Sequence, residues 1–290
     1  VLNSLMEGLI EKNKVSINLN KVLNKKGNEW SAFIKSNKKI KIQQIIKFSS
    51  GINCKVLDIL YDNNFLSYII SFNKTYKELI TILSKKGNIP IPPYIKKKRK
   101  IEKSDYTNYQ TIFAKKIGAV ASPTASLHFT KQLINNLKKM KVNFASLTLH
   151  VNGGTFLPIR NNNPYKHSMH FERGTISKIM ADKINKTKLN GGRVIAVGTT
   201  VLRLLESSKD INGFVKPFNG ETNIFIRPGW KVNTVDGLIT NFHTPKSSLL
   251  MLVYALIGRK QTLKLYKYAM NKKMRFYSYG DACLIWNENE

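Results

Sequence analysis

The chain has 290 residues, 42% of them hydrophobic, which allows one large domain or two ordinary ones around a real core and excludes a disordered polycation. Its 48 lysines and arginines against 17 aspartates and glutamates give a formal charge of +31, a surface that attracts polyanions in a salt-sensitive way. The longest apolar run, Leu249 to Ile257, is nine residues, whereas a bilayer span needs roughly 20, so no membrane segment is expected.

Lysine outnumbers arginine 40 to 8, and together with abundant Asn and Ile this reads partly as compositional drift. The arginines carry more information: seven of the eight lie from Arg160 onward, and all five histidines fall between 128 and 243. Chemistry that needs a planar fork donor or an imidazole is therefore expected in the second two-thirds. Cys54 and Cys283 have neither metal nor redox spacing, and the start of the chain lacks a secretory pattern. Both point to the cytoplasm.

The first 72 residues read as β. Lys14 to Leu19 alternates polar and apolar, as does Lys55 to Leu60, and Asp62-Asn63-Asn64 makes a turn before Phe65 to Phe72. Thr75 to Lys85 reads as a short helix. Ile89 to Tyr94 is extended by its prolines, and with the basic run Lys96 to Lys100 it marks the best domain boundary. Two domains follow from this, a small β-barrel-like one over 1–88 and an α/β one over 89–290.

In the second, helices are expected over Asp105 to Lys116, Thr124 to Met140, Thr175 to Lys188 and Val201 to Ser207, and another from Ser247. Strands are expected over Phe144 to Val151 and Arg193 to Val197, around Phe225, and over Leu238 to Phe242 and Ala282 to Trp286. Such alternation implies an α/β domain beside a smaller all-β, barrel-like one.

Four junctions share one grammar, a strand that runs out into polar residues: His150 to Thr155, Val197 to Thr200, Asn241 to Ser247, and Ala119 to Thr124. Ligands in α/β sheets settle beyond strand ends, where helix N-termini offer unpaired N–H groups. Thr124, Thr199, Thr200 and Ser247 also fit as plain helix caps. His167, His170 and Glu172 suggest a metal set, but the spacing is not HExxH and the segment follows a proline. Neither a G-x-S-x-G elbow nor a phosphate-binding glycine loop is present.

These same residues resemble a known family. Gly118 to Phe129, Leu149 to Phe156, His167 with Met169, His170 and Glu172, Gly191 to Thr200 with Arg203 and Glu206-Ser207, Thr222 to Gly229, Val235 to Phe242 with His243, Pro245 and Leu249 to Val253, and Ser278 to Ala282 together resemble the S-adenosylmethionine:tRNA ribosyltransferase-isomerases of queuosine biosynthesis. Ser122, Ser126 and Thr244 depart from the family's pattern. Val1 to Gly8 aligns beyond its N-terminal region, so part of the α/β domain is expected to be missing.

The resemblance implies transfer and isomerisation of the ribosyl part of S-adenosylmethionine onto 7-aminomethyl-7-deazaguanine in tRNA. Epoxyqueuosine-tRNA, adenine and methionine are the products. S-adenosylmethionine is then a substrate; no cofactor or metal is needed, the partner is tRNA, and a monomer is expected. The alternative is a degenerate chain that binds tRNA without catalysis.

On the resemblance, His243, Asp281, His128 and Glu172 are the candidate catalytic residues. His150, Thr155, His170, Thr199, Thr200, Arg203, Glu206, Asp236, Asn241 and Tyr279 are the candidates for substrate binding. The sulfonium acidifies its neighbouring ribose carbon, so a general base is required, and His243, His128 and His150 are the imidazoles at polar junctions. Arg203 and Glu206, three apart on a helix, can also simply pair.

Overall fold

The computed structural model describes residues 4–11, 13–62, 65–116, 118–151, 169 and 171–287. It divides into two compact units, one of residues 1–107 with 117–121 and one of 108–116 with 122–290. The segment 89–107, expected with the α/β domain, thus packs with the first unit.

The first unit is a closed antiparallel barrel in the order β1-β2-β3-β6-β5-β4, formed by β1 (Leu5–Ile10), β2 (Asn13–Val22), β3 (Glu29–Ser36), β4 (Ile45–Lys47), β5 (Asn53–Asp62) and β6 (Phe65–Phe72). Alternation fixes which side faces in: Val15, Ile17 and Leu19 of β2 point to the core with Ile46, Val56 and Ile70. Pairing of Leu9 with Lys47 closes the ring. Helix α1 (Tyr76–Lys86) packs Leu79 and Leu83 onto that core, and its start carries a capping box between Thr75 and Glu78. The proline-rich stretch does not stay wholly extended. Pro93 tolerates the first turn of a helix, and α2 (Pro93–Lys96) begins there. Asp105 opens α3 (Asp105–Asn108), far shorter than expected, and accepts both guanidinium arms of Arg99.

The second unit is α/β, as the sequence indicates. Thr124 to Met140 is not one helix. Thr124–His128 forms a 3₁₀ turn, Phe129 is extended, and Thr130 caps α4 (Lys131–Lys139) through Leu133 N–H. A first sheet is β10-β8-β7, antiparallel throughout, from β7 (Thr148–His150), β8 (Glu172–Ile176) and β10 (Phe218–Thr222). Ser177 caps α5 (Lys178–Leu189), so the helix expected from Thr175 starts three residues later.

A second sheet is β12-β11-β9. β9 (Ile195–Val197) lies parallel to β11 (Gly237–Asn241), and β12 (Ala282–Trp286) is antiparallel to β11. Helix α6 (Thr199–Ser208) follows β9, and α7 (Ser248–Asn271) follows β11. The strand expected around Phe225 does not form; the neighbouring strand β10 ends at Thr222. Leu202, Leu204 and Leu205 of α6 and Leu252, Val253 and Leu256 of α7 build the core with Leu238 and Ile285.

Candidate functional site

The register of the second sheet places three chain ends together. Ile239 pairs with Val197 and Asn241 with Ala282, while Gly198 N–H donates to the Ile239 carbonyl at 2.9 Å. The β9 and β11 ends therefore emerge side by side. Gly198 has φ 102°, a left-handed value suited to glycine, and a Cβ there would lie 3.9 Å from Ala125 in the 3₁₀ turn.

Asn241, 3% exposed, is the hub of this edge. Its Oδ1 accepts from Thr124 Oγ1 at 2.9 Å, and its Nδ2 donates to the Gly280 carbonyl at 3.3 Å. A carbonyl can only accept, so the amide orientation is fixed. Nδ2 then also faces His128 Nε2 at 3.4 Å. In neutral His128 that nitrogen is the acceptor and Nδ1 carries the proton. The His128 side chain is otherwise solvent-exposed.

Gly280 reaches Asn241 because the turn before it is tight. A Cβ at Gly280 would lie 2.4 to 2.5 Å from Phe276 and Arg275 backbone atoms. Asp281 closes this turn: its carboxylate accepts from Arg275 N–H at 2.8 Å and from Arg275 Nη2 at 2.9 Å. Those bonds hold it below the usual carboxylate range, with a smaller push from nearby His128. Tyr279 meets Tyr109 edge-on, 5.8 Å between centroids.

His243 lies just past the hub. Its Nε2 is 2.8 Å from Thr240 Oγ1, and its backbone N–H donates to Tyr266 Oη at 2.8 Å. Burial pushes the imidazole down to about 4 and pushes the Tyr266 phenol up. Phe242, Tyr266 and Phe276 form a ring cluster beside it, with centroids 5.0 to 5.9 Å apart.

The cap assignments resolve differently. Ser247 is a cap, accepting from Leu250 N–H at 3.2 Å. Thr199 and Thr200 are not: Gly198 holds the cap position of α6 without a side-chain bond, leaving two buried threonines in an uncapped first turn.

A second polar group lies between α6 and the first sheet. Arg203 and Glu172, 3% and 1% exposed, form an ion pair at 2.7 Å. Arg203 Nε donates to the Ile224 carbonyl at 3.2 Å, and buried Nη2 has no partner among the described residues. The pairing of Arg203 with Glu206 does not form. Glu206 points the other way and accepts from Trp230 Nε1, Thr234 Oγ1, the Asn233 and Thr234 N–H groups and Lys209. Burial raises its pKa, but the bonds from Lys209, Trp230 and Thr234 outweigh that and hold it below the ordinary value.

Asp236 sits at the opposite end of β11, where it accepts from Val194 N–H at 2.7 Å. His150, on β7 across from Arg173, has its pKa lowered by burial first and then by Arg173 and Lys116. Thr155, His167 and His170 lie outside the described residues. Among the described residues no group of three or more His, Cys, Asp or Glu side chains can hold a metal.

The structure thus brings together Thr124, His128, Asn241 and the Gly280-Asp281 turn, and keeps Glu206 and Asp236 apart from them. Tyr266 and Arg275, which fix His243 and Asp281, carry no local sequence signal beyond helical spacing and a cation six residues before an aspartate.

The family model described as queuosine biosynthesis protein matches residues 1–285. The chain is similar to curated S-adenosylmethionine:tRNA ribosyltransferase-isomerases. That of Zymomonas mobilis is 44% identical over 285 residues, covering 98% of this chain and 82% of the relative. That of Vesicomyosocius okutanii is 45% identical over 277 residues, covering 96% and 78%. A solved structure, the S-adenosylmethionine tRNA ribosyltransferase of Thermotoga maritima, is 26% identical with a TM-score of 0.46, covering 98% of this chain and 78% of its own.

Proposed function

This chain belongs to the queuosine-biosynthesis family of S-adenosylmethionine:tRNA ribosyltransferase-isomerases, and we infer from that premise the work of its strand-end cluster. The reaction transfers and isomerises the ribosyl moiety of S-adenosylmethionine onto 7-aminomethyl-7-deazaguanine in tRNA. The products are epoxyqueuosine-tRNA, adenine and methionine. The observation that carries the reading is the 44% identity along 98% of the chain.

Carbon acidity next to the sulfonium calls for a base. His128 is our candidate: it is exposed, and among the described residues its acceptor nitrogen is held only by the long 3.4 Å approach of Asn241, which a substrate proton can displace. His243 Nε2 is already engaged by Thr240 Oγ1 and burial disfavours its protonated form, so we assign His243 to the wall rather than the proton transfer. The uncapped first turn of α6, with Thr199 and Thr200, supplies donors for polar ligand atoms. Arg203 Nη2 is a further donor, suited to a carboxylate or hydroxyl, and Glu172 holds its guanidinium in place.

Asp281 shapes the turn that presents Gly280, while Glu206 and Asp236 tie the fold together. Cytoplasmic location and a monomeric state complete the proposal, and a light-scattering mass of twice the chain would overturn the latter. Among the described residues, no helix is long and apolar enough to cross a membrane.

The test is incubation with S-adenosylmethionine and tRNA carrying 7-aminomethyl-7-deazaguanine, with adenine release as readout. Salt-sensitive tRNA binding without adenine would replace this reading with that of a binding-only chain.

A further inference from the structure

Helix α7 has two halves of opposite character. Ser248 to Ile257 is the uncharged half, with Leu252, Val253, Ala255 and Leu256 buried. At Gly258 the backbone leaves the helical region (φ 70°, ψ 161°), and the helix resumes with Arg259 and Lys260. From residue 237 to 280 the chain has no aspartate or glutamate but eight cations: Lys246, Arg259, Lys260, Lys264, Lys267, Lys272, Lys273 and Arg275.

Position on the helix orders these charges. Lys260, Lys264 and Lys267 recur at i, i+4 and i+7 and so share one face, and all three are exposed. Thr262 and Ala269, 1% and 0% exposed, hold the opposite face against the core. None of the three lysines makes an ion pair with a described residue. Unneutralised cations in a row on one helix repel one another and destabilise it, whereas a chain of phosphates would neutralise them. The row is also tied to the site. Tyr266, between Lys264 and Lys267, holds the His243 backbone, and the turn after the helix delivers Gly280 to Asn241.

We propose that Lys260, Lys264 and Lys267 form a docking ridge for the phosphate backbone of the RNA substrate, set beside the strand-end cluster by the bend at Gly258. The proposal rests on the tRNA reading above and specifies which surface carries the polyanion. Contacts of this kind position the RNA without reading its sequence, and the lysine ammonium suits a point contact to phosphate.

The experiment compares two triple variants by tRNA binding across a salt series and by steady-state kinetics. The ridge variant is Lys260→Ala/Lys264→Ala/Lys267→Ala. A charge-matched control, Lys178→Ala/Lys186→Ala/Lys231→Ala, removes three exposed lysines elsewhere in the same unit. The ridge variant is expected to raise the tRNA Kd and KM roughly tenfold or more and to lower the slope of log K against log salt by about 2 to 3. Its kcat at saturating tRNA and its KM for S-adenosylmethionine stay at wild-type values, and circular dichroism checks that both triples fold. Equal losses in the two triples, or an unchanged ridge variant, would overturn the ridge. Wild-type protein that binds tRNA but releases no adenine would sink the activity instead, while the two Kd values still decide the ridge.

Discussion

Removing the Glu206 carboxylate distinguishes a structural anchor from a substrate ligand. Thr234 is fully buried, and its hydroxyl (2.7 Å) and N–H (3.1 Å) both donate to Glu206 Oε1. Trp230 Nε1 donates to Oε2 at 2.8 Å, and Lys209 Nζ lies 2.7 Å away. In Glu206→Ala the two Thr234 donors lose their acceptor where water cannot follow, at about 1–3 kcal/mol each. Trp230 and Lys209 are partly exposed and recover some solvation. The expected loss is therefore about 3–5 kcal/mol, in the range for breaking a buried charge pair and a large part of an ordinary domain's stability. Glu206→Gln retains an oxygen for Thr234 and Asn233 but turns an N–H toward Trp230 and Lys209, so its loss should fall between Ala and wild type. Urea denaturation followed by Trp fluorescence measures the order Ala, Gln, wild type. Adenine release well below the transition should be nearly unchanged in the Gln variant. An alanine variant of wild-type stability that no longer turns over would refute this account and return Glu206 to the substrate.

Other consequences are as direct. His128→Ala should lower kcat by about 10²–10⁴, whereas His243→Gln should cost much less in rate; the reverse order would exchange their roles. Gly280→Ala forces a Cβ against Phe276 and Arg275 backbone atoms, so it should displace the turn and abolish turnover, with a lowered melting temperature as the second readout. The His243 imidazole titrates near 4 when folded, below its ordinary 6.5, so the unfolded chain binds the extra proton in between. Stability should hold above about 6.5 and fall as pH drops toward 4, and His243→Leu should flatten that part of the stability–pH curve.

Local chemistry was most legible where it acts locally. The Thr75-Glu78 box and Ser247 start their helices as their residue types demand, and alternation sets the inward face of β2. Thr124 to Met140 shows the limit: its apolar period suggests one helix, but Phe129 is buried and extended, and Thr130 makes a new start. Gly258 hides the length of α7 in the same way, since a glycine with positive φ reads as an end. Longer-range pairing escaped local reasoning. Arg203 takes Glu172 of β8, 31 residues away, rather than Glu206 on its own helix, whose carboxylate is turned to Trp230, Thr234 and Lys209. Asn241 meets Thr124 and His128 across more than 100 residues. Each polar junction was visible; which of them share an edge depends on strand register.

The parallel pairing of β9 and β11 has a bearing on how such a chain can vary. Between Val197 and Gly237 the polypeptide makes a 39-residue excursion through α6 and β10, yet its two ends are fastened side by side by Ile195–Gly237 and Val197–Ile239 pairing. Insertions or deletions in the outer loop around Ile211, 96% exposed, are absorbed within the excursion and leave the spacing of Gly198 and Asn241 unchanged. A shift of one residue in the short ladder has no such buffer, because it reverses which side chains face the ligand. Sequence length is thus free to drift in one place and pinned in the other, within the same stretch of chain.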